Sequence, residues 1–102
     1  MENVQISGFQ WDEGNLAKCQ KHGVLVETIE SLFQRHVAIL PDETHSQKEQ
    51  RFRAIGKTED GRSVFMVFTQ RQHGDNTFIR PISARYMHKK EVAAYEKENP
   101  DI

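Results

Sequence analysis

The hydrophobic positions of the chain follow two different periods, and the change from one to the other divides it into elements. Val4 and Ile6 alternate with polar residues ahead of Phe9 and Trp11, which predicts a short first strand ending in an aromatic anchor. Asp12 follows as a helix N-cap, because its carboxylate can accept from the free amides of the first turn, and Glu13 suits the positive end of the dipole. That helix is expected to run to His22, with Leu16 and Cys19 inward and Gly23 as its left-handed stop. Over 24–34, Leu25, Ile29, Leu32 and Phe33 recur at i, i+4, i+7 and i+8, one face of a second helix, with Glu27 and Glu30 outside. Two helices joined at Gly23 need a sheet to cover their apolar faces.

The remaining pattern supplies that sheet. Val37, Ile39 and Leu40 predict a strand ended by Pro41 and Asp42, followed by a polar loop through Glu43, Thr44, His45 and Ser46. Three more strands are expected at 51–57, 63–70 and 77–85. Glu59-Asp60-Gly61 and His73-Gly74-Asp75-Asn76 between them carry residues that tolerate left-handed backbone, so these strands form an antiparallel meander. The middle one is apolar on both faces, with Val64, Met66 and Phe68 against Phe65 and Val67, and is expected to be central and covered on both sides. Pro41 and Pro81 each remove a backbone donor, which places them at a strand edge or a bulge; at Pro81 a bulge would re-aim Arg80 and Ser83. A last helix over 88–98 turns Val92 and Tyr95 inward and ends at Asn99-Pro100. The fold class is therefore α+β: one domain over 1–102, a mostly antiparallel sheet of four to five strands, two N-terminal helices and one C-terminal helix.

Charge changes this picture more than composition does. The formal net charge is -1, yet positions 1–50 carry 4 Lys or Arg against 8 Asp or Glu, and positions 51–90 carry 9 against 3. A basic block on a near-neutral chain suits an anionic ligand such as RNA; the alternative is a surface of salt bridges. The single Cys19 excludes an internal disulfide and a cysteine-based zinc site. No apolar stretch approaches the ~20 residues a membrane-spanning helix needs, and no basic-then-apolar leader opens the chain, so a cytoplasmic protein without membrane association is expected.

Arg80 and Arg85 stand inside an apolar strand, where an unpartnered guanidinium is costly. Their partners are protein carboxylates or the phosphates of a ligand. Pairing with Asp12 or Glu91 would weaken a catalytic reading, whereas an open concave face would strengthen it. The histidines at 22, 36, 45, 73 and 88 have no paired ligand spacing, so neither a metal nor another cofactor is expected, and Ser83 lacks a nucleophile-elbow setting. What remains is a set of cations, imidazoles and phenols without a nucleophile. Such a set fits metal-free RNA cleavage, in which the substrate's own 2′-hydroxyl attacks. Lys21, His22, His45, His88, Glu91 and Tyr95 are the candidate proton carriers, Glu91 and Tyr95 sharing one helical face at i and i+4. Lys21 and His22 also suit the C-terminal end of a helix dipole, and Tyr95 equally suits a core position with its hydroxyl at the rim.

Three segments carry a family resemblance: W-D-E-G-N-L-A-K-C-Q-K-H-G-V at 11–24, P-D-E-T-H-S and the residues to 51, and I-R-P-I-S-A-R-Y-M-H-K-K-E with Y-E at 79–96. In this order they resemble the BrnT-type toxins over nearly the whole chain. The resemblance implies a RelE-like fold and an endoribonuclease toxin of a type II toxin-antitoxin pair, cutting mRNA and inhibiting translation. It implies a BrnA-like, DNA-binding antitoxin as partner, which neutralises the toxin and with it can repress their operon, in a toxin–antitoxin heterotetramer or beside a toxin homodimer. Lys18, Lys21, His22, Arg80, Ser83, Arg85, Glu91 and Tyr95 fall on the family pattern; Lys21, His22, Arg80, Arg85, Glu91 and Tyr95 are the catalytic candidates, and Lys18 and Ser83, with Arg51 and Arg53 of the basic block, the substrate-binding ones. The rival expectation is a non-catalytic module that binds an antitoxin-like protein or nucleic acid through the same basic face.

Overall fold

The turns set the sheet. In the computed structural model, which describes residues 6–35, 37–42 and 48–98, the order is β1 (Ile6–Phe9), α1 (Glu13–Gln20), α2 (Val26–Leu32), β2 (Val37–Pro41), β3 (Arg51–Lys57), β4 (Ser63–His73), β5 (Asn76–Tyr86) and α3 (Lys89–Glu98). The five strands lie in the order β1-β5-β4-β3-β2. Strands β2 to β5 form an antiparallel meander, and β1 joins β5 in parallel, giving a mixed sheet and the expected α+β class. Gly74 opens the two-residue β4–β5 loop with φ 63°, and no other residue type among the described residues has a positive φ. A glycine at the first loop position is what a hairpin turn of opposite hand requires. Gly23, at φ 81°, breaks the chain between α1 and α2, as the sequence predicts. Val4, His36, His45, the rest of the 43–46 loop and Asn99-Pro100 lie outside the described residues.

One extra residue in β5 decides which way each half of the strand faces. Val67 of β4 pairs with Ser83 and Phe68 with Pro81, so Ile82 is left over as a bulge. Strict alternation would place Ile79 and Pro81 on one face and Ala84 and Tyr86 on the other. With Ile82 inserted, all four lie opposite the core-facing row of β4: Ile79 beside Gln70, Pro81 beside Phe68, Ala84 beside Met66 and Tyr86 beside Val64. Ile79, Pro81 and Ala84 are buried accordingly. The predicted bulge is thus present, and proline sits next to it because it has no N–H to lose.

On this face α1, α2 and the connection between them contribute Cys19, Ile29, Leu32 and Val24 to a buried cluster with Ala54, Val64, Met66 and Phe68. Phe68 is its hub. Its ring stacks on Phe52 at 5.4 Å and meets Phe33 edge-on at 5.4 Å, while Phe33 meets Phe9 at 5.5 Å. This chain of rings ties β1, the end of α2, β3 and β4 together. Leu25 departs from its expected inward place: it is 59% exposed, because it stands in extended backbone at the N-cap of α2, and Val24 fills the core instead.

The second face of the sheet departs from expectation as well. Phe65 and Val67 are only half-buried, since α3, none of whose residues is buried, reaches only one end of that face. Val92 and Tyr95 of α3 are half-buried. No described helix is long and apolar enough to cross a membrane.

Removing the hub ring has a defined cost. Phe68→Ala is expected to lower stability by about 3–5 kcal/mol, a large part of the roughly 5–15 kcal/mol that holds an ordinary domain. Urea unfolding measures it, and a loss under about 1 kcal/mol would show that the aromatic chain is not what closes the core.

Candidate active site

Strand parity collects the basic block on one surface. Opposite residues of an antiparallel pair share a face, and the pairs Arg51–Thr69, Arg53–Val67, Thr69–Arg80, Val67–Ser83, Phe65–Arg85 and Arg71–Phe78 all belong to the second face. Arg80 and Arg85 are five residues apart and would lie on opposite faces of a regular strand; the bulge at Ile82 brings them to the same one. Five arginines, at 51, 53, 71, 80 and 85, thereby share this face around the half-buried Phe65 and Val67. Ser83 stands half-buried among them.

Both central arginines have protein carboxylates as partners. Arg85 Nη1 and Nη2 each donate to a different oxygen of Glu91, at 2.8 Å and 2.8 Å, a fork geometry that fixes the guanidinium plane. Its Cζ also lies 5.0 Å from the centroid of Phe65. Glu91 has a second role. His88 precedes α3, its carbonyl accepting from Val92 N, and its own N–H donates to Glu91 Oε1 at 2.9 Å, the reciprocal half of a capping box. The hydrogen bonds from Arg85 first, and from the His88 backbone next, pull the Glu91 carboxyl down to about 2. A carboxylate of that kind is a weak base at neutral pH, and both its oxygens are engaged by Arg85.

Arg80 is held differently. Its Nη2 lies 2.9 Å from Asp12 Oδ2, and its side chain is only 20% exposed, against 38% for Arg85. Asp12 is the N-cap of α1: its carboxylate accepts from Asn15 N, and Asn15 Oδ1 accepts from Asp12 N at 2.7 Å. The Asn15 backbone bond, and after it Arg80, lower the Asp12 carboxyl below its ordinary range. Asn15 was not among the residues singled out from the sequence, yet it is buried and its Nδ2 donates to Gln10 O at 3.0 Å and Pro81 O at 2.8 Å. The spacing D-x-x-N at a helix start is the signal that marks it.

The other predicted site residues are dispersed. Arg53 is exposed and has no ion pair among the described residues, whereas Arg71, which was not singled out from the sequence, pairs with Glu49 at 3.2 Å. Lys18, Lys21 and His22 are exposed at the end of α1, in the helical layer, with no side-chain hydrogen bond or ion pair among the described residues to link them to Arg85. The Tyr95 hydroxyl is buried, and that burial raises its pKa, which suits the core reading of this residue. Cys19 is buried in the core and pushed up to about 11 by desolvation, so its thiol is protonated at neutral pH. Among the described residues no three His, Cys, Asp or Glu side chains come together as a metal-binding group.

Residues 11–91, from Trp11 through the Glu91 that holds Arg85, match the family model of the ribonuclease toxin, BrnT, of type II toxin-antitoxin system. The chain belongs to the BrnT family. No curated protein matches it. Membership in the BrnT family makes it a ribonuclease toxin by kind, and a type II system implies an antitoxin as partner and RNA as target. The BrnT match covers the N-cap of α1, the bulged strand and the first turn of α3, the three elements that hold the arginines.

The Arg85–Glu91 pair carries a pH signature. With its folded pKa near 2 against an ordinary 4.5, Glu91 adds stability that is present above about pH 4.5 and is lost as pH falls toward 2. Thermal melting of wild type and Glu91→Gln should therefore differ most at neutral pH, with the gap closing between about pH 4.5 and 2. Asp12 works in the same direction, so the variant keeps part of the acid sensitivity. A gap that stays constant over that range would mean that Glu91 is not held in this way.

Proposed function

We propose that the chain is a metal-independent endoribonuclease that cuts mRNA and so arrests translation, until a BrnA-like antitoxin binds and neutralises it. One observation carries this reading beyond family membership: five arginines share one half-open sheet face, with exposed Arg53 and partly exposed Arg85 beside the apolar Phe65 and Val67. Such a face can hold a phosphate backbone through cations and leave bases against apolar surface.

The chemistry is transfer within the substrate. The 2′-oxygen attacks the adjacent phosphorus and loses its proton to a base, the phosphorane forms, and the bond to the 5′-oxygen breaks as that oxygen gains a proton. Products are a 2′,3′-cyclic phosphate and a 5′-hydroxyl. Arg85 faces the charge on the phosphorane: Glu91 takes two of its five N–H donors and orients the rest. Arg80, largely covered and tied to Asp12, contributes field rather than contact. Glu91 is held as an anion, Tyr95 is withdrawn, and Lys21 and His22 stand in the helical layer across the sheet from Arg85, so none of the four meets the phosphate that Arg85 faces. Arg51, Arg53 and Ser83 bind the strand.

A second reading has its own observation. The ion pairs Arg80–Asp12 and Arg85–Glu91 satisfy both arginines without any ligand, as in a module that binds an antitoxin or nucleic acid and does not cut. Cleavage of purified mRNA in excess chelator separates the two. The enzyme reading expects cutting that survives chelation and falls about 10²–10³-fold in Arg85→Ala, with His22→Gln, across the sheet from Arg85, near wild type. RNA left intact by folded wild type would establish the binding module instead.

A further inference from the structure

The layer that covers the second face of the sheet is incomplete. Strand pairing sets Leu40 beside Arg53 and Arg53 beside Val67, and in the next row Ala38 beside Ile55 and Ile55 beside Phe65. Opposite residues share a face, so Leu40, Ala38, Ile55, Phe65 and Val67 form one apolar strip across β2, β3 and β4. Leu40 is 46% exposed and the other four are half-buried. The helix α3 closes only one end of this strip, where Tyr95 and Ile55 line a small cavity, and none of its residues is buried. Beyond it the face continues along β4 from Phe65 to Arg71, about 20 Å at roughly 3.3 Å per residue. About 13 residues of α-helix span that length.

Charge decides what can complete the layer. Three arginines of this face are met by carboxylates from outside the strands: Asp12 at Arg80, Glu91 at Arg85 and Glu49 at Arg71. Arg53, between Leu40 and Val67 in the apolar strip, is exposed and has no ion pair among the described residues. The rim of the face therefore holds carboxylates already, while the cation at its centre is left to solvent. A second copy of this chain would set arginine against arginine here, which like charge opposes. An acidic helix with an apolar stripe matches both the strip and the cation.

We propose that the antitoxin neutralises this chain by laying an acidic amphipathic helix on the open sheet face, with its apolar stripe on Leu40, Val67 and Phe65 and its carboxylates at Arg53 and Arg85. This helix continues the layer that α3 begins. The inference rests on the ribonuclease reading above and on the antitoxin that a type II system implies, and it adds the regulation of that site. Helix and RNA compete for the same cations, so the bound antitoxin excludes substrate directly. A helix is specified because an added strand would pair with the β2 edge and leave Phe65 and Val67 open.

The test is the affinity of the full-length cognate antitoxin for variants of the full chain, measured by titration calorimetry at several salt concentrations. Leu40→Asp and Arg53→Glu should each weaken binding about tenfold or more, and Arg53→Glu should also flatten the salt dependence. Both positions are exposed, so the variants should fold, which thermal melting checks. Leu25→Asp, a leucine 59% exposed at the start of α2 in the helical layer, should bind as wild type does. Hydrogen exchange on the bound antitoxin should protect one acidic stretch of about 13 residues with apolar positions three and four apart. A 2′-O-methylated octanucleotide, which lacks the attacking hydroxyl, should compete with the antitoxin. Antitoxin that does not bind wild type, or binds Leu40→Asp and Arg53→Glu within twofold of it, overturns the docking face, and wild type that still cuts RNA keeps the ribonuclease reading. A wild-type dimer that Leu40→Asp dissociates, with antitoxin affinity unchanged, makes the face a contact between copies and overturns the proposal too. Folded wild type that leaves RNA intact overturns the ribonuclease reading and the competition, while the affinities of the Leu40 and Arg53 variants still decide the docking face.

Discussion

The surplus residue in β5 is the constraint from which the rest of the architecture follows. A strand alternates, and eleven residues of β5 would otherwise present Ile79 and Ala84 to opposite sides. Inserting Ile82 lets both halves of the strand bury apolar side chains against α1 and α2, and by the same step moves Arg80 and Arg85 to the opposite, half-open face. Core and cation are thus separated by geometry within a single strand. The backbone is secured at that point by Asn15, whose side-chain amide takes the Pro81 carbonyl and also supports the N-cap of α1. A small change there would disturb helix start, edge and arginine face together.

Holding arginines on an exposed sheet raises a second problem, which the two central ones solve unequally. Arg80 is drawn against the N-cap carboxylate of α1 and is mostly covered. Arg85 is gripped from one side only, by a carboxylate that also caps α3, so that the helix and the guanidinium position each other. A rotamer-rich side chain fixed before substrate arrives loses less freedom on binding, and this pre-organisation suits a residue that meets a charged transition state.

Much of the fold was legible because strong local signals agree. Gly23, Gly61 and Gly74 stand at the three turns with positive φ, Asp12 caps α1, and the strand-like runs at 51–57, 63–70 and 77–85 mark the meander. Elements differ from their predicted bounds by a few residues, as at α1, which ends at Gln20 rather than His22. The parallel pairing of β1 was not legible, since pairing direction depends on tertiary packing and leaves no period in the sequence. Nor was the half-exposure of Phe65 and Val67, because apolar residues on both faces of a strand look the same whether one cover is complete or partial. For the site, the residue types and the partners Asp12 and Glu91 were readable. The common face of Arg51, Arg53, Arg80 and Arg85 was not, because it depends on register and on where the bulge falls.

The claim on which the functional account turns is that Glu91 serves catalysis through Arg85. A double-mutant cycle on kcat for RNA cleavage measures it directly, using wild type, Arg85→Ala, Glu91→Gln and the double variant, each shown to be folded. If Glu91 acts by holding Arg85, its substitution slows wild type but changes the Arg85→Ala enzyme by no more than about twofold, within the error of additivity. If the two effects multiply in the double variant, Glu91 acts independently of Arg85, and the account of this site is wrong.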